Sequence, residues 1–178
     1  MSYYVIQVKT REEEKYIHLA RKGIATLGLD IGEDLLLPRR KLITRRRGKI
    51  KETLLPLYPG YIFFQSAGIP TDIYWLFRRT PGFFRFLRGE RSPEPLSGED
   101  EKLLLHFLSF GETVETSQVF FDENNKIRVV SGPMTGLEGR IVKVDKRKKR
   151  AKVRLSLYEN SFLVDFSFEL MEKMAEQR

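Results

Sequence analysis

Leu55-Pro56-Leu57-Tyr58-Pro59-Gly60-Tyr61-Ile62-Phe63-Phe64 decides how the first half of this chain is read. At its end, Gly60 to Gln65 is a short apolar strand. Upstream, Leu35 to Thr44 and Lys49 to Leu54 are predicted as two strands joined at Arg46-Arg47-Gly48. Further out, Tyr3 to Lys9 is a strand and Thr10 to Leu27 an amphipathic helix. Thr10 and Glu13 have capping-box spacing, and Ile17, Ala20, Ile24 and Leu27 form a stripe that must cover a sheet. Downstream, a helix is predicted after Pro70 with Thr71 as its cap, then a strand over Phe83 to Leu87. A third helix, capped by Ser97, carries the stripe Leu103, Leu104, Phe107 and Leu108.

From Gly111 the chain turns polar and loses periodicity, as a tether does. Beyond it every segment reads as β, and the last two strands alternate Val153, Leu155, Leu157 and Phe162, Val164, Phe166, Phe168 with polar residues, as in a small barrel with one face inside. The expected organisation is a domain over 1–110, a linker over 111–122 and a second domain over 123–178. Gly132, Gly136 and Gly139 crowd one turn, where positive φ or close backbone approach excludes a β-carbon.

A chain that is 41% hydrophobic and 31% charged is globular in composition, and its net charge of +8 favours polyanionic partners, nucleic acid first among them. The absence of cysteine excludes disulfides, thiolate zinc sites and cysteine nucleophiles. The apolar runs around Leu54 to Phe64 and Leu103 to Phe110 fall short of the roughly 20 residues of a membrane span, and no secretion signal precedes Tyr3. The expectation is a cytoplasmic monomer with no membrane contact. His18 and His106 have no second ligand at metal spacing, and the acids Glu12-Glu13-Glu14 and Glu99-Asp100-Glu101 fit helix first turns. No catalytic residue, metal site or cofactor is predicted, and an enzyme is not expected.

Leu55 to Phe64 resembles the P-L-F-P-G-Y-V-F-V signature of NusG-type N-terminal (NGN) domains, and Arg79-Thr80-Pro81-Gly82-Phe83 resembles the T-P-G-V that follows it. Val129-Val130-Ser131-Gly132-Pro133-Met134-Thr135-Gly136-Leu137-Glu138-Gly139 resembles the KOW motif. The resemblance, to the NusG/RfaH/LoaP family of elongation and antitermination factors, implies an α+β fold: an antiparallel NGN sheet flanked by helices, tethered to an SH3-like KOW β-barrel. It implies that Tyr3, Tyr4, Tyr58, Tyr61 and Phe63 line a depression for the clamp helices of the largest RNA polymerase subunit, and that pausing or termination is suppressed. It also implies ribosomal protein S10 or Rho as partners of the barrel in a housekeeping NusG. A ribosome-associated KOW protein is a further alternative.

Charge points to a specialised paralogue resembling LoaP. Arg39, Arg40, Lys41, Arg45, Arg46, Arg47, Lys49 and Lys51 occupy an acid-free segment that reads as a projecting hairpin. Between Lys126 and Leu155, eleven basic residues face two acids, among them Lys143, Lys146, Arg147, Lys148, Lys149, Arg150 and Lys152. Such clusters suit the phosphates of nascent RNA, a hairpin included, or of DNA near the transcription bubble. The KOW turn is Gly132, Pro133, Met134, Gly136 and Gly139, with Met134 where the family's rim has Phe.

Overall fold

A computed structural model describes residues 1–29, 35–89 and 91–171. The last seven residues of the expected second domain lie outside these. In chain order the elements are β1 (Ser2–Val8), α1 (Glu13–Thr26), β2 (Leu35–Leu36), β3 (Arg39–Arg46), β4 (Lys49–Pro56), β5 (Tyr61–Ser66), α2 (Thr71–Arg79), β6 (Phe83–Phe86), α3 (Gly98–Leu108), β7 (Thr113–Val114), β8 (Ser117–Phe121), β9 (Ile127–Ser131), β10 (Ile141–Asp145), β11 (Arg150–Leu157) and β12 (Asn160–Leu170). Contacts divide the chain into two units: Met1–Leu37 with Tyr58–Leu103, and Pro38–Leu57 with everything from Leu104.

The first unit is an antiparallel sheet in the order β2-β5-β1-β6. Tyr4, Ile6, Ile62, Phe64 and Phe86 point to one face, where Tyr16, Ile17, Ala20 and Ile24 of α1 and Ile73 and Phe77 of α2 complete a core. Phe64 and Phe77 meet edge to face at 5.1 Å, and the buried Tyr16 hydroxyl donates to the Phe77 carbonyl at 3.0 Å. Burial pushes that phenol's pKa well up. The helix begins later than the capping box suggests. Glu12 is the N-cap residue and makes no side-chain cap bond, while Glu13 is buried and accepts the Gly60 N–H at 2.7 Å.

Both Pro-Gly turns fasten the end of β1. Gly60 (φ +84°) accepts the Val8 N–H through its carbonyl at 2.8 Å, and Gly82 (φ +98°) accepts the Lys9 N–H at 2.9 Å. Each needs the left-handed conformation that a β-carbon penalises.

The second unit holds the hairpin. β3 and β4 pair antiparallel with Arg46 opposite Lys49, and Arg47 (φ +50°) and Gly48 (φ +74°) both take positive φ, as a two-residue type I′ turn demands. Leu35 to Thr44 is therefore two strands, broken at the proline before Arg39. A five-stranded half-barrel sheet follows in the order β10-β11-β12-β8-β9. Ala151, Val153, Leu155 and Leu157 of β11 and Val164, Phe166 and Phe168 of β12 form its buried side. The stretch 111–122, expected as a tether, carries β7, parallel to β3, and β8, parallel to the end of β12. β-Strand hydrogen bonds, which composition does not report, give that polar stretch its structure.

Candidate functional site

Pairing of β1 with β5 sets Tyr3 opposite Gln65 and Gln7 opposite Tyr61, so Tyr3, Tyr61 and Phe63 share the face away from the helix-covered core. Tyr58 joins them, its ring edge-on to Phe63 at 5.3 Å. Tyr4 points through the sheet into the core with Ile6 and Phe64, so a set acting from one face comprises the other four. Tyr3 is half-buried, whereas Tyr58, Tyr61 and Phe63 are closed to solvent. Burial raises the Tyr61 pKa, partly offset by the charge of Arg85.

The eight cations of the hairpin divide by position. At its base, Arg40 is 9% exposed; its Nε donates to the Asp165 carbonyl at 2.7 Å and its Nη1 to the Pro56 carbonyl. Burial pulls its pKa down to about 10, with Asp165 opposing and Arg150 adding to the fall. Arg39 is half-buried, and Lys41 pairs with Glu115 at 2.7 Å and Glu52 at 3.6 Å, contacts that raise its pKa, Glu115 foremost. Arg40 and Lys41 thus hold the hairpin base. Arg45, Arg46, Arg47, Lys49 and Lys51 are exposed toward its tip, and none enters an ion pair among the described residues.

The β10–β11 turn, 146–149, divides likewise. The Asp145 carboxylate accepts the Lys148 N–H at 2.9 Å and shapes the turn, Lys149 takes φ +53°, and the Lys146 ammonium lies 3.9 Å over the Phe121 ring while donating to Asn125. Arg147 and Lys148 are exposed. Lys143 is exposed on β10, Lys152 pairs with Asp165 at 3.4 Å, and Arg150 is half-buried, its Nη2 donating to the Thr44 hydroxyl at 2.9 Å and the Ile43 carbonyl at 3.3 Å.

In the turn from Gly132 to Gly139, Gly132 (φ +95°) and Gly136 (φ +75°) are in the left-handed region, but Gly139 is not and has open space around it. Pro133 and Met134 are buried, Met134 completely, so this residue belongs to the core rather than to a rim. The Met134 N–H donates to the Ser117 hydroxyl at 3.0 Å.

Residues 1–105 match the family model described as transcription termination factor nusG, and residues 123–155 match the KOW motif. The chain belongs to the NusG family. It is 27% identical to the transcription termination/antitermination protein NusG of Thermus thermophilus over 181 residues, covering 97% of this chain and 98% of that one. The NusG of Vibrio cholerae is 25% identical over 175 residues, covering 97% and 95%. A solved structure titled "Domain interaction in Thermotoga maritima NusG" superposes with a TM-score of 0.57 at 19% identity, covering 93% of each chain, which shows the shared fold. The function that comes with the NusG family is that of a transcription termination/antitermination factor.

Several side chains that organise this NusG-family site gave no signal in the sequence. Glu13, expected in a capping box, secures Gly60 of the Pro-Gly-Tyr strand. Ser167, expected on the solvent side of an alternating strand, is buried because its hydroxyl accepts the Ile43 N–H at 2.9 Å from the hairpin. His106, which has no second ligand at metal spacing, is half-buried with Nε2 2.8 Å from the Pro133 carbonyl, and its neighbour Phe107 stacks on Phe166 at 5.7 Å. Only packing between distant segments creates these roles. Among the described residues, no group of three or more His, Asp or Glu could hold a metal, and no helix is long and apolar enough to cross a membrane.

Proposed function

We propose that this chain is an elongation and antitermination factor that binds the clamp helices of RNA polymerase through Tyr3, Tyr58, Tyr61 and Phe63 and offers nascent RNA a basic KOW surface. The family match over the sheet bearing Tyr3, Tyr61 and Phe63 carries the polymerase half of this reading. Three of the four aromatics are closed to solvent, so docking through them requires that they first be exposed, a cost that offsets the about 1.5–3 kcal/mol per ring that burial against the partner returns. The RNA half is supported by exposed cations on and beside β10 and β11 without matching acids. A stem presents phosphates and shape rather than readable major-groove edges, and such a surface suits it.

Capture of ribosomal protein S10 or Rho by the same sheet is the competing reading. Val130, Val142 and Leu163, roughly half exposed, are the apolar groups it would use.

Co-purification of the full-length protein with core RNA polymerase, compared with Tyr61→Ala and with the less buried Tyr3→Ala, tests the first half. Association lost in Tyr3→Ala with its thermal midpoint near wild type, and in Tyr61→Ala while that variant still unfolds cooperatively at a lower midpoint, is the expected result. Association undiminished in both, or absent in wild type at low salt, refutes clamp docking through this face.

A further inference from the structure

Ile43 on the hairpin and Arg150 on the half-barrel are 107 residues apart in the chain, yet the structure joins them directly. Arg150 donates to Thr44 and Ile43, and Ser167 accepts from Ile43 on the same strand. As a result Arg45 of the hairpin lines one small depression together with Lys148 and Lys149 of the β10–β11 turn, beside Phe168 and Glu169. We propose that the β3–β4 tip and the β10–β11 turn are two walls of a single site for the phosphate backbone of a nucleic-acid stem.

The charge balance favours one shared ligand. The two segments that meet are both cationic, and the bonds joining them are made by hydroxyls and carbonyls rather than carboxylates, so their mutual repulsion is not neutralised across the junction. The nearby acids are already engaged or too few: Glu52 faces Lys41, Asp145 caps the turn, Asp165 pairs with Lys152, and Glu169 alone remains in the depression. A polyanion spanning both walls relieves the repulsion and releases counterions from each. The inference rests on the RNA reading above and extends it from the sheet to the hairpin. Duplex phosphates are the shared chemistry, and an RNA stem is the source that this reading selects.

Fluorescence anisotropy of the full-length protein with a labelled RNA stem-loop and a matched DNA duplex, between 50 and 200 mM salt, tests it. Arg45→Ser/Arg46→Ser at the tip and Arg147→Ser/Lys148→Ser at the turn should each weaken stem binding. Each pair should also flatten the log–log salt dependence by about 1.4–1.8, which is roughly 3-fold per lost contact across this salt range. Arg150→Lys keeps the charge but cannot bridge Thr44 and Ile43, and in that background the tip substitutions should lose most of their effect. A tip variant that binds the stem like wild type while the turn variant fails overturns the two-walled site and leaves the RNA reading intact. Wild-type protein that binds no stem overturns both. DNA bound as tightly as RNA overturns the assignment to RNA.

Discussion

Gly132→Ala and Gly139→Ala are the same substitution in one motif, and the structure gives them opposite consequences. At Gly132, φ is +95°, and an added β-carbon would lie 2.7 Å from Ser117 Cα and 2.8 Å from its Oγ. Alanine there incurs about 1–3 kcal/mol of backbone strain. It also displaces the buried hydroxyl that satisfies the Met134 N–H, worth roughly 1–3 kcal/mol more. Together the loss is about 2–6 kcal/mol. At Gly139, within the short 3-10 turn Glu138–Arg140, φ is not in the left-handed region and nothing lies within 4 Å of the added carbon. Alanine at such a site restricts the unfolded chain and is neutral or stabilising by up to about 1 kcal/mol. Amide hydrogen exchange of Val153 and Val164, paired across β11 and β12, separates the two cases. Gly132→Ala should accelerate their exchange by about 30-fold or more, from 1.4 kcal/mol per tenfold, and Gly139→Ala should leave it unchanged or slower. Equal effects, or a harmless Gly132→Ala, would refute the role given to the Ser117 contact.

Other consequences follow from the same geometry. Glu13→Ala leaves the buried Gly60 N–H without its acceptor and should lower unfolding stability of the first unit by about 2 kcal/mol, read from Trp75 fluorescence in urea. Arg40→Ala strips the donors from the Asp165 and Pro56 carbonyls and should cost roughly 2 kcal/mol of stability, whereas Arg46→Ala, exposed near the tip, should stay within about 0.5 kcal/mol and act on nucleic-acid affinity alone. Asp122 accepts the Lys126 and Asn124 N–H groups and pairs with Arg128, and these contacts hold its pKa below the ordinary value of 3.8, the Lys126 bond foremost. Its contribution is therefore present above pH 3.8 and lost as pH falls through the lower folded-state value, which NMR titration of the carboxyl would show. A carboxyl titrating at or above 3.8 would contradict the turn geometry.

Much of the fold was legible because it depends on local pattern. Ile17, Ala20 and Ile24 of the stripe face the sheet as their spacing requires, while Leu27, expected with them, caps the helix end and is exposed; the alternation in β11 buries Ala151, Val153, Leu155 and Leu157 on one side. The turn predicted at Arg46-Arg47-Gly48 is where its residues place it. Parallel pairing of β3 with β7 and of β12 with β8 was not legible, because short strands in a polar stretch have no periodicity and gain their bonds from partners distant in the chain. The cation clusters were visible as clusters. Which members are structural was not: Arg40 and Arg46 differ only in what packs around them.

The sequence by itself determined the family, the two motif-bearing halves, the antiparallel sheet under helices and the excess of positive charge, since these follow from residue type and spacing along the chain. Tertiary structure alone decided that Tyr4 faces the core while Tyr61 and Phe63 share the opposite face with Tyr3, that Met134 is interior, and that the hairpin belongs with the half-barrel. The reason is physical. A hydroxyl such as that of Ser167 or a guanidinium such as that of Arg150 has no preference for burial until a distant backbone group arrives to satisfy it.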